Sequence, residues 1–183
     1  MLYTRKGDKG DTELFACDQR ISKSSATAGA LGAMDETNSY IGLCKVKSKE
    51  SEFSVGEDSF EKIVHNIQKN LFIIQAELAG ATESISEKKV KALEKVVDDI
   101  NMQIPEVESF FISGGCELSA MFDYARTLSR RAERRVVAVQ EEEEIGVSKF
   151  TLQYLNRLSS VLYALARLSN HRSGIKEQSP DYK

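Results

Sequence analysis

Five guanidinium groups fall within ten residues of the chain, at Arg126, Arg130, Arg131, Arg134 and Arg135. On a helix, Arg126, Arg130 and Arg134 stack along one face at a spacing of four, and Arg131 with Arg135 forms the neighbouring row. Like charges so spaced oppose a bare helix by about 0.2–0.5 kcal/mol per pair, so something of opposite sign must compensate. Two readings meet that need. One is surface pairing with acids such as Glu133, Asp35 or Glu36; the other is bidentate capture of a phosphate or carboxylate, which guanidinium geometry matches. Arg126 and Arg130 are the members expected to lie partly inside.

A second segment able to do chemistry is Tyr3-Thr4-Arg5-Lys6-Gly7-Asp8-Lys9-Gly10-Asp11-Thr12. Its glycines let the backbone approach a ligand closely, while Arg5, Lys6, Lys9 and the hydroxyls of Thr4 and Thr12 can hold phosphates. It is not a Walker A loop, because G-x-x-x-x-G-K-[ST] is missing. A plain solvent-exposed entry segment has the same composition. Arg20, Ser22, Lys23 and Ser24 add donors just beyond it. Asn156 and Arg157 interrupt an otherwise apolar helical pattern, where a lone Asn is commonly a satisfied structural amide.

Other chemistries find no support. Glu61 stands four residues before His65, so the Glu-x-x-His element of a di-iron bundle is absent. His65 and His171 read as structural or surface residues. No Ser/His/Asp arrangement can be placed, and Cys116 beside Gly115 has no assigned His partner. The acidic run Glu141 to Glu144 reads as a solvated helix end, mildly unfavourable to the macrodipole there.

The elements that must carry these residues are helices. Only two prolines occur, and apolar residues recur at steps of three and four. A first helix is expected from Ala26, capped by Ser25, to about Lys49, with Ala30, Met34, Ile41 and Cys44 inward. Phe60, Ile63, Ile67, Leu71, Ile74 and Leu78 mark a second, ending before Gly80. Ser86 opens a third through Val90, Leu93, Val97, Ile100 and Ile104. Gly114-Gly115 precedes a long fourth with Leu118, Met121, Leu128, Ala132 and Val136. Ser148 caps a fifth with Leu155, Leu158, Leu162, Leu165 and Ser169 in register. No sustained period-two alternation and no internal repeat is visible. The expected architecture is all-α: a single domain whose loop-rich residues 1–25 precede a helical bundle over 26–169 and a polar tail over 170–183, mobile or ordered only by a ligand.

Composition bounds the partners. The chain has 183 residues, 41% of them hydrophobic and 29% charged, with a net charge of −3. Near-neutral, mildly acidic charge argues against general nucleic-acid binding, which needs excess Lys and Arg. No apolar run approaches the roughly 20 residues of a membrane span, and no secretory leader is visible. Cys17, Cys44 and Cys116 make neither a disulfide framework nor a CxxC pair, which fits a reducing cytoplasm.

In order along the chain stand Tyr3-Thr4-Arg5-x-Gly7-Asp8-Lys9-Gly10, Ser22-Lys23, Asp35-Glu36-x-Asn38, Phe110 before Gly114-Gly115, the arginine stretch Arg126 to Arg135, and Tyr154-Leu155-Asn156-Arg157-Leu158-Ser159. This succession resembles the PduO-type corrinoid adenosyltransferases from Tyr3 to about Arg167. The resemblance implies a five-helix, ferritin-like up-down bundle that assembles as a homotrimer with sites between subunits. It implies transfer of the 5′-deoxyadenosyl group of ATP to the cobalt of cob(I)alamin, with Mg²⁺ assisting and triphosphate released. Tyr3, Thr4, Arg5, Gly7, Asp8, Lys9 and Gly10 with Lys23 would wrap the phosphates. Arg130, Glu133, Arg134 and Asn156 would line the nucleotide. Asp35 and Arg126 would pair across the subunit boundary, and Phe110 would sit under the corrin. A corrinoid reductase and a cobalamin-dependent enzyme are the implied protein partners.

Several positions depart from the family pattern. Lys6 and Asp11 replace Thr, Ser113 replaces a proline and leaves the entry to the fourth helix looser, and Ser160 stands where Asp is frequent. The stretch Leu14-Phe15-Ala16-Cys17 lacks a glycine pair. The alternatives are a non-catalytic bundle binding ATP or another polyanion as sensor or cofactor carrier, and a structural oligomer whose arginines pair with acids. The set Arg5, Lys9, Arg130, Arg134 and Asn156 favours a nucleotide site, and Phe110 with Asp35 favours catalysis.

Overall fold

The computed structural model describes residues 3–14, 19–107, 109–142 and 146–182. Five helices dominate: α1 (Ala26–Ser51), α2 (Phe60–Leu78), α3 (Glu87–Asn101), α4 (Glu117–Glu142) and α5 (Lys149–Arg172). Each of the serines expected to start a helix sits in the N-cap position. Ser25 accepts from the Ala28 amide and Ser148 from Phe150, whereas Ser86 takes the extended N-cap backbone without a side-chain bond; a further serine, Ser59, caps α2 by accepting from the Lys62 amide. The third helix stops at Asn101 rather than continuing to Ile104. Ile104, the residue before Pro105, is pushed out of the helical region, and the chain leaves the helix in a turn over Met102 and Gln103.

Cross-helix contacts give the directions. Glu36, Tyr40 and Lys47 of α1 meet Arg131, Tyr124 and Glu117 of α4, so these helices run antiparallel. Asn156 and Asn170 of α5 meet Glu133 of α4 and Cys116 just before it, again antiparallel. Asn70 and Glu77 of α2 meet Tyr154 of α5 and Ser148 at its cap, while Glu94 of α3 reaches Arg157 of α5 in a parallel sense. The chain therefore runs up-down-up-down-up. The expected inward stripes form one core, in which Met34, Ile41, Phe60, Ile74, Phe122, Leu155 and Leu162 are fully buried.

Two polar groups inside the core are satisfied by partners far away in sequence. The Tyr154 hydroxyl accepts from Asn70 Nδ2 at 3.0 Å, and Lys89 Nζ bonds Asn70 Oδ1. Glu77, in the last turn of α2, accepts the Ser148 amide at 2.6 Å and the Thr151 hydroxyl, placing a carboxylate at the N-terminus of α5. An anion there also suits the helix dipole.

Two antiparallel hairpins were not visible as alternation, because their strands have two or three residues. In one, β1 (Asp11–Glu13) pairs β2 (Arg20–Ser22); in the other, β3 (Ser54–Val55) pairs β4 (Asp58–Ser59). The first gives shape to the expected loop-rich entry. Phe15, Ala16 and Cys17 of the departing stretch, and Glu143 and Glu144 of the acidic run, lie outside the described residues.

Beyond α5, residues of the polar tail make contacts with the body of the bundle. Ile112 N–H donates to Gln178 O at 2.8 Å, and Glu177 pairs with the buried Arg167. The entry to α4 is not loose. Asn170 Oδ1 accepts from Cys116 N–H, Asn170 Nδ2 donates to Gly114 O, and Ser119 Oγ bonds the same carbonyl. Gly115 is required here: its φ is +111°, and a Cβ would stand 2.4 Å from Asn170 Oδ1. Gly115→Ala should therefore cost roughly 2–4 kcal/mol and lower Tm by roughly 5–15 °C, measured by thermal unfolding.

Candidate functional site

The residues singled out for chemistry fall into three groups. The first is the glycine segment. Gly10 N–H bonds Gly7 O at 3.2 Å, and the Lys23 amide reaches Gly10 O at 2.9 Å, closing residues 7–10 against β2. Lys23 Nζ donates to Gly7 O at 2.8 Å, so close that a Cβ on Gly7 would lie 3.0 Å from it. Gly7 is thus needed for approach and Gly10, at φ +86°, for backbone conformation. Arg5 takes φ 59°, a left-handed conformation that costs a non-glycine residue about 1–2 kcal/mol, and its guanidinium lies over the Tyr3 ring at 5.3 Å. Tyr3, Thr4, Asp8 and Lys9 are all exposed.

Arg20 is not a free donor. Its Nε and Nη2 bind both carboxylate oxygens of Asp11 at 2.9 and 2.7 Å, and Nη2 also donates to Lys6 O at 2.7 Å. The same hydrogen bonds hold the Asp11 carboxyl below the usual carboxylate range. Asp11 and Lys6, both departures from the family pattern, are thereby drawn into a clasp that shapes the loop. Ser22 and Ser24 bond each other at 2.8 Å. Beside the clasp lies a cavity of about 650 Å³ between the first hairpin, α1 and α2, walled mainly by Leu14, Leu31, Phe72, Ala76 and Ala79, with Lys23 at its edge.

The second group lies on α4 and α5. Arg131 pairs with Glu36, and Arg126 Nε reaches Asp123 Oδ1 at 3.4 Å. Glu133 does not serve an arginine: it accepts from Asn156 Nδ2 at 3.0 Å, so the amide is positioned by a carboxylate. Arg134 Nη1 touches only its own helix, at Arg130 O. Among the described residues, neither Arg130 nor Arg134 meets a carboxylate. Arg126 is half-buried as expected, but Arg130 is exposed, since its position faces away from both neighbouring helices.

The third group surrounds a cavity of about 460 Å³ at the start of α4 and the end of α5, where Phe110 and Ile112 face Asp123, Arg126 and Tyr163. Phe110 is 80% exposed, an unusual state for so large an apolar ring. Burial pushes the Tyr163 phenol up. Asp35 is exposed on α1 and does not meet Arg126 within the chain.

Sequence reasoning missed Asp123, Tyr163, Arg167, Asn170 and Glu177, which line the same cavity. Arg167 left a signal, a single charge inside the apolar stretch Leu165-Ala166-Arg167-Leu168; Glu177 left none. No hydrogen bond or ion pair among the described residues joins the glycine segment to Arg126–Arg135 or Asn156. A protein nucleophile is not evident. Burial pushes the Cys44 thiol up to about 12, and no group of three His, Cys, Asp or Glu side chains placed to hold a metal occurs among the described residues. Nor is any described helix long and apolar enough to cross a membrane.

The family model for cobalamin adenosyltransferase matches residues 2–169. The corrinoid adenosyltransferase PduO of Salmonella typhimurium is 36% identical over 192 residues, covering 99% of this chain and 54% of that protein. That of Citrobacter freundii is 38% identical over 177 residues, covering 93% and 50%. The chain spans about half the length of these two relatives. A corrinoid adenosyltransferase of Bacillus subtilis is 40% identical over 181 residues, covering 95% of this chain and 89% of that one. A variant of a PduO-type ATP:corrinoid adenosyltransferase from Lactobacillus reuteri, solved with cobalamin and ATP, superposes with a TM-score of 0.88 at 28% identity, covering 100% of this chain and 97% of that one.

Proposed function

The chain belongs to the cobalamin adenosyltransferase family, and from that premise we propose that it transfers the 5′-deoxyadenosyl group of ATP to the cobalt of cob(I)alamin. The cobalt electron pair forms the bond to C5′, the C5′–O bond breaks, and its electrons leave with triphosphate. Reduced cobalt is itself a strong nucleophile, so the protein supplies none. Its tasks are to hold C5′ in line and to stabilise the charge gathering on triphosphate.

The observation that carries this reading is the pair Arg130 and Arg134, two guanidiniums on one helix face that meet no acid among the described residues. They are available to phosphate oxygens. Asn156, oriented by Glu133, would fix the nucleoside beside them. The loop Thr4, Arg5, Gly7, Asp8, Lys9 and Gly10 with Lys23 would close over the phosphates, and the Arg20–Asp11 clasp would hold that loop in shape beforehand. Mg²⁺ would arrive bound to ATP, with phosphate oxygens as its principal ligands.

A complete site would need a second copy. Among the described residues no hydrogen bond or ion pair joins the loop to the arginine face, so each would serve a neighbour's counterpart, with Asp35 of one copy reaching Arg126 of the next. Leu43, Val46 and Tyr124, exposed on the adjoining helices α1 and α4, support a subunit contact there, and a homotrimer is the assembly we infer. The corrin would enter the Phe110 cavity, whose apolar wall would displace the lower axial ligand and ease reduction of cob(II) to cob(I) by a reductase. We place the reaction in the cytoplasm, with a cobalamin-dependent enzyme receiving the product.

Mixing the protein with ATP, Mg²⁺ and chemically reduced cobalamin should give a light-sensitive alkylcobalamin spectrum and one triphosphate per turnover. Tight ATP binding with no spectral change would instead identify a nucleotide sensor.

A further inference from the structure

Near the end of α5 the otherwise apolar wall carries one charge, Arg167, only 4% exposed. A buried guanidinium is tolerable only if it is paired and hydrogen-bonded. Its Nε donates to Glu177 Oε2 at 2.9 Å, its Nη1 to Pro105 O at 3.2 Å, and its plane covers the Phe111 ring at 4.9 Å. Glu177 belongs to the segment that follows α5, whereas Pro105 and Phe111 belong to the segment that carries Phe110. One guanidinium therefore fastens two irregular stretches to a rigid helix, the first by an ion pair and the second by a hydrogen bond and a ring contact.

Further bonds line up along the same seam. Asn170 Nδ2 reaches the second oxygen of Glu177 at 3.3 Å, Ile112 N–H donates to Gln178 O at 2.8 Å, and the Ser109 and Ser179 hydroxyls meet at 2.7 Å. Ser109, Phe111 and Ile112 are thus each held, while Phe110 between them projects outward into the cavity. A ring this exposed has few contacts of its own to fix it. Its direction is set by its neighbours.

We infer that Glu177 and Arg167 are positioning residues for the corrinoid: they strap residues 173–182 across residues 105–113 and so fix the wall on which Phe110 meets the corrin face. This rests on the proposed function, since it assigns the cavity to the corrinoid. Its physical content is preorganisation: a wall already set before binding loses no ordering entropy when the substrate arrives, and small displacements of such a wall are costly.

The test compares Glu177→Gln and Ser179→Ala with the wild-type chain. Glu177→Gln keeps the shape but removes the charge opposite Arg167. Ser179→Ala touches only the exposed end of the seam and leaves the core intact. Three readouts are needed: hydrogen exchange at the Ile112 amide, the spectrum of bound cob(II)alamin in the presence of Mg·ATP, and separate KM values for the two substrates. For Glu177→Gln, Ile112 exchange should accelerate, corrinoid KM should rise about tenfold, and the share of cob(II)alamin lacking a lower ligand should fall, with ATP KM within about twofold of wild type. Ser179→Ala should move the same readouts in the same direction by less. Faster exchange with unchanged corrinoid KM and spectrum overturns the inference alone, as does an equal rise in both KM values. A wild-type protein that takes up no corrinoid overturns the proposed function, and this inference with it.

Discussion

Phe110→Ala should slow adenosylation that starts from cob(II)alamin on the order of 10²-fold, yet leave turnover of chemically reduced cob(I)alamin within about tenfold of wild type. The asymmetry follows from the work proposed for the ring. Each shift of about 59 mV in a one-electron potential changes the equilibrium tenfold, so a 10²-fold loss corresponds to roughly 120 mV. Supplying the reduced form bypasses that step and leaves only the loss of packing. The ring is 80% exposed, so its removal should cost little stability, and a matching thermal unfolding curve would show that the fold is intact. Equal losses in the two assays would assign Phe110 to general binding rather than to the cobalt.

Arg134→Ala should lower kcat on the order of 10²–10³-fold, about 3–4 kcal/mol of transition-state stabilisation, which is the usual loss when one preorganised donor to a developing anion is deleted. In the proposed transfer the C5′–O bond breaks with its electrons on triphosphate, so a guanidinium on the phosphates would be worth more in the transition state than in bound ATP. ATP KM should change by less than kcat. Arg134→Lys should recover part of the loss, because it restores the charge without the two-pronged geometry. Steady-state kinetics with saturating cob(I)alamin decide it. A variant within about threefold of wild type would make Arg134 ordinary solvated surface. Its present contacts, a single bond to its own helix at Arg130 O, predict little change in stability.

The helices were legible because each repeats apolar residues at steps of three and four, and four of the five begin after a serine, α4 following Gly114-Gly115-Cys116 instead. Ser25, Ser59 and Ser148 all bond an amide in the first turn. The hairpin of β1 and β2 was not, because three-residue strands leave no alternation to read. Of the candidate site, the residue types and their order were legible; how each donor is used was not. Arg20 resembled a phosphate ligand until Asp11 and Lys6 O were found to occupy it. Asp123, three residues before Arg126, is the acid that Arg126 meets within its own helix, whereas the Asp35 pairing comes from the resemblance and concerns a neighbouring copy. Glu177 had no local signature at all. Its role comes from where the chain returns after α5, which no short-range pattern encodes.

Glu77 has a consequence for how the molecule comes into being. The carboxylate that completes the start of α5 belongs to α2, 71 residues earlier. Until the last quarter of the chain has been synthesised, that carboxylate has no Ser148 amide or Thr151 hydroxyl to receive. A nascent chain holding α1 to α4 must therefore keep this corner open to water. Closing this corner joins groups 71 residues apart, a nonlocal contact of the kind whose loop-closure cost slows folding.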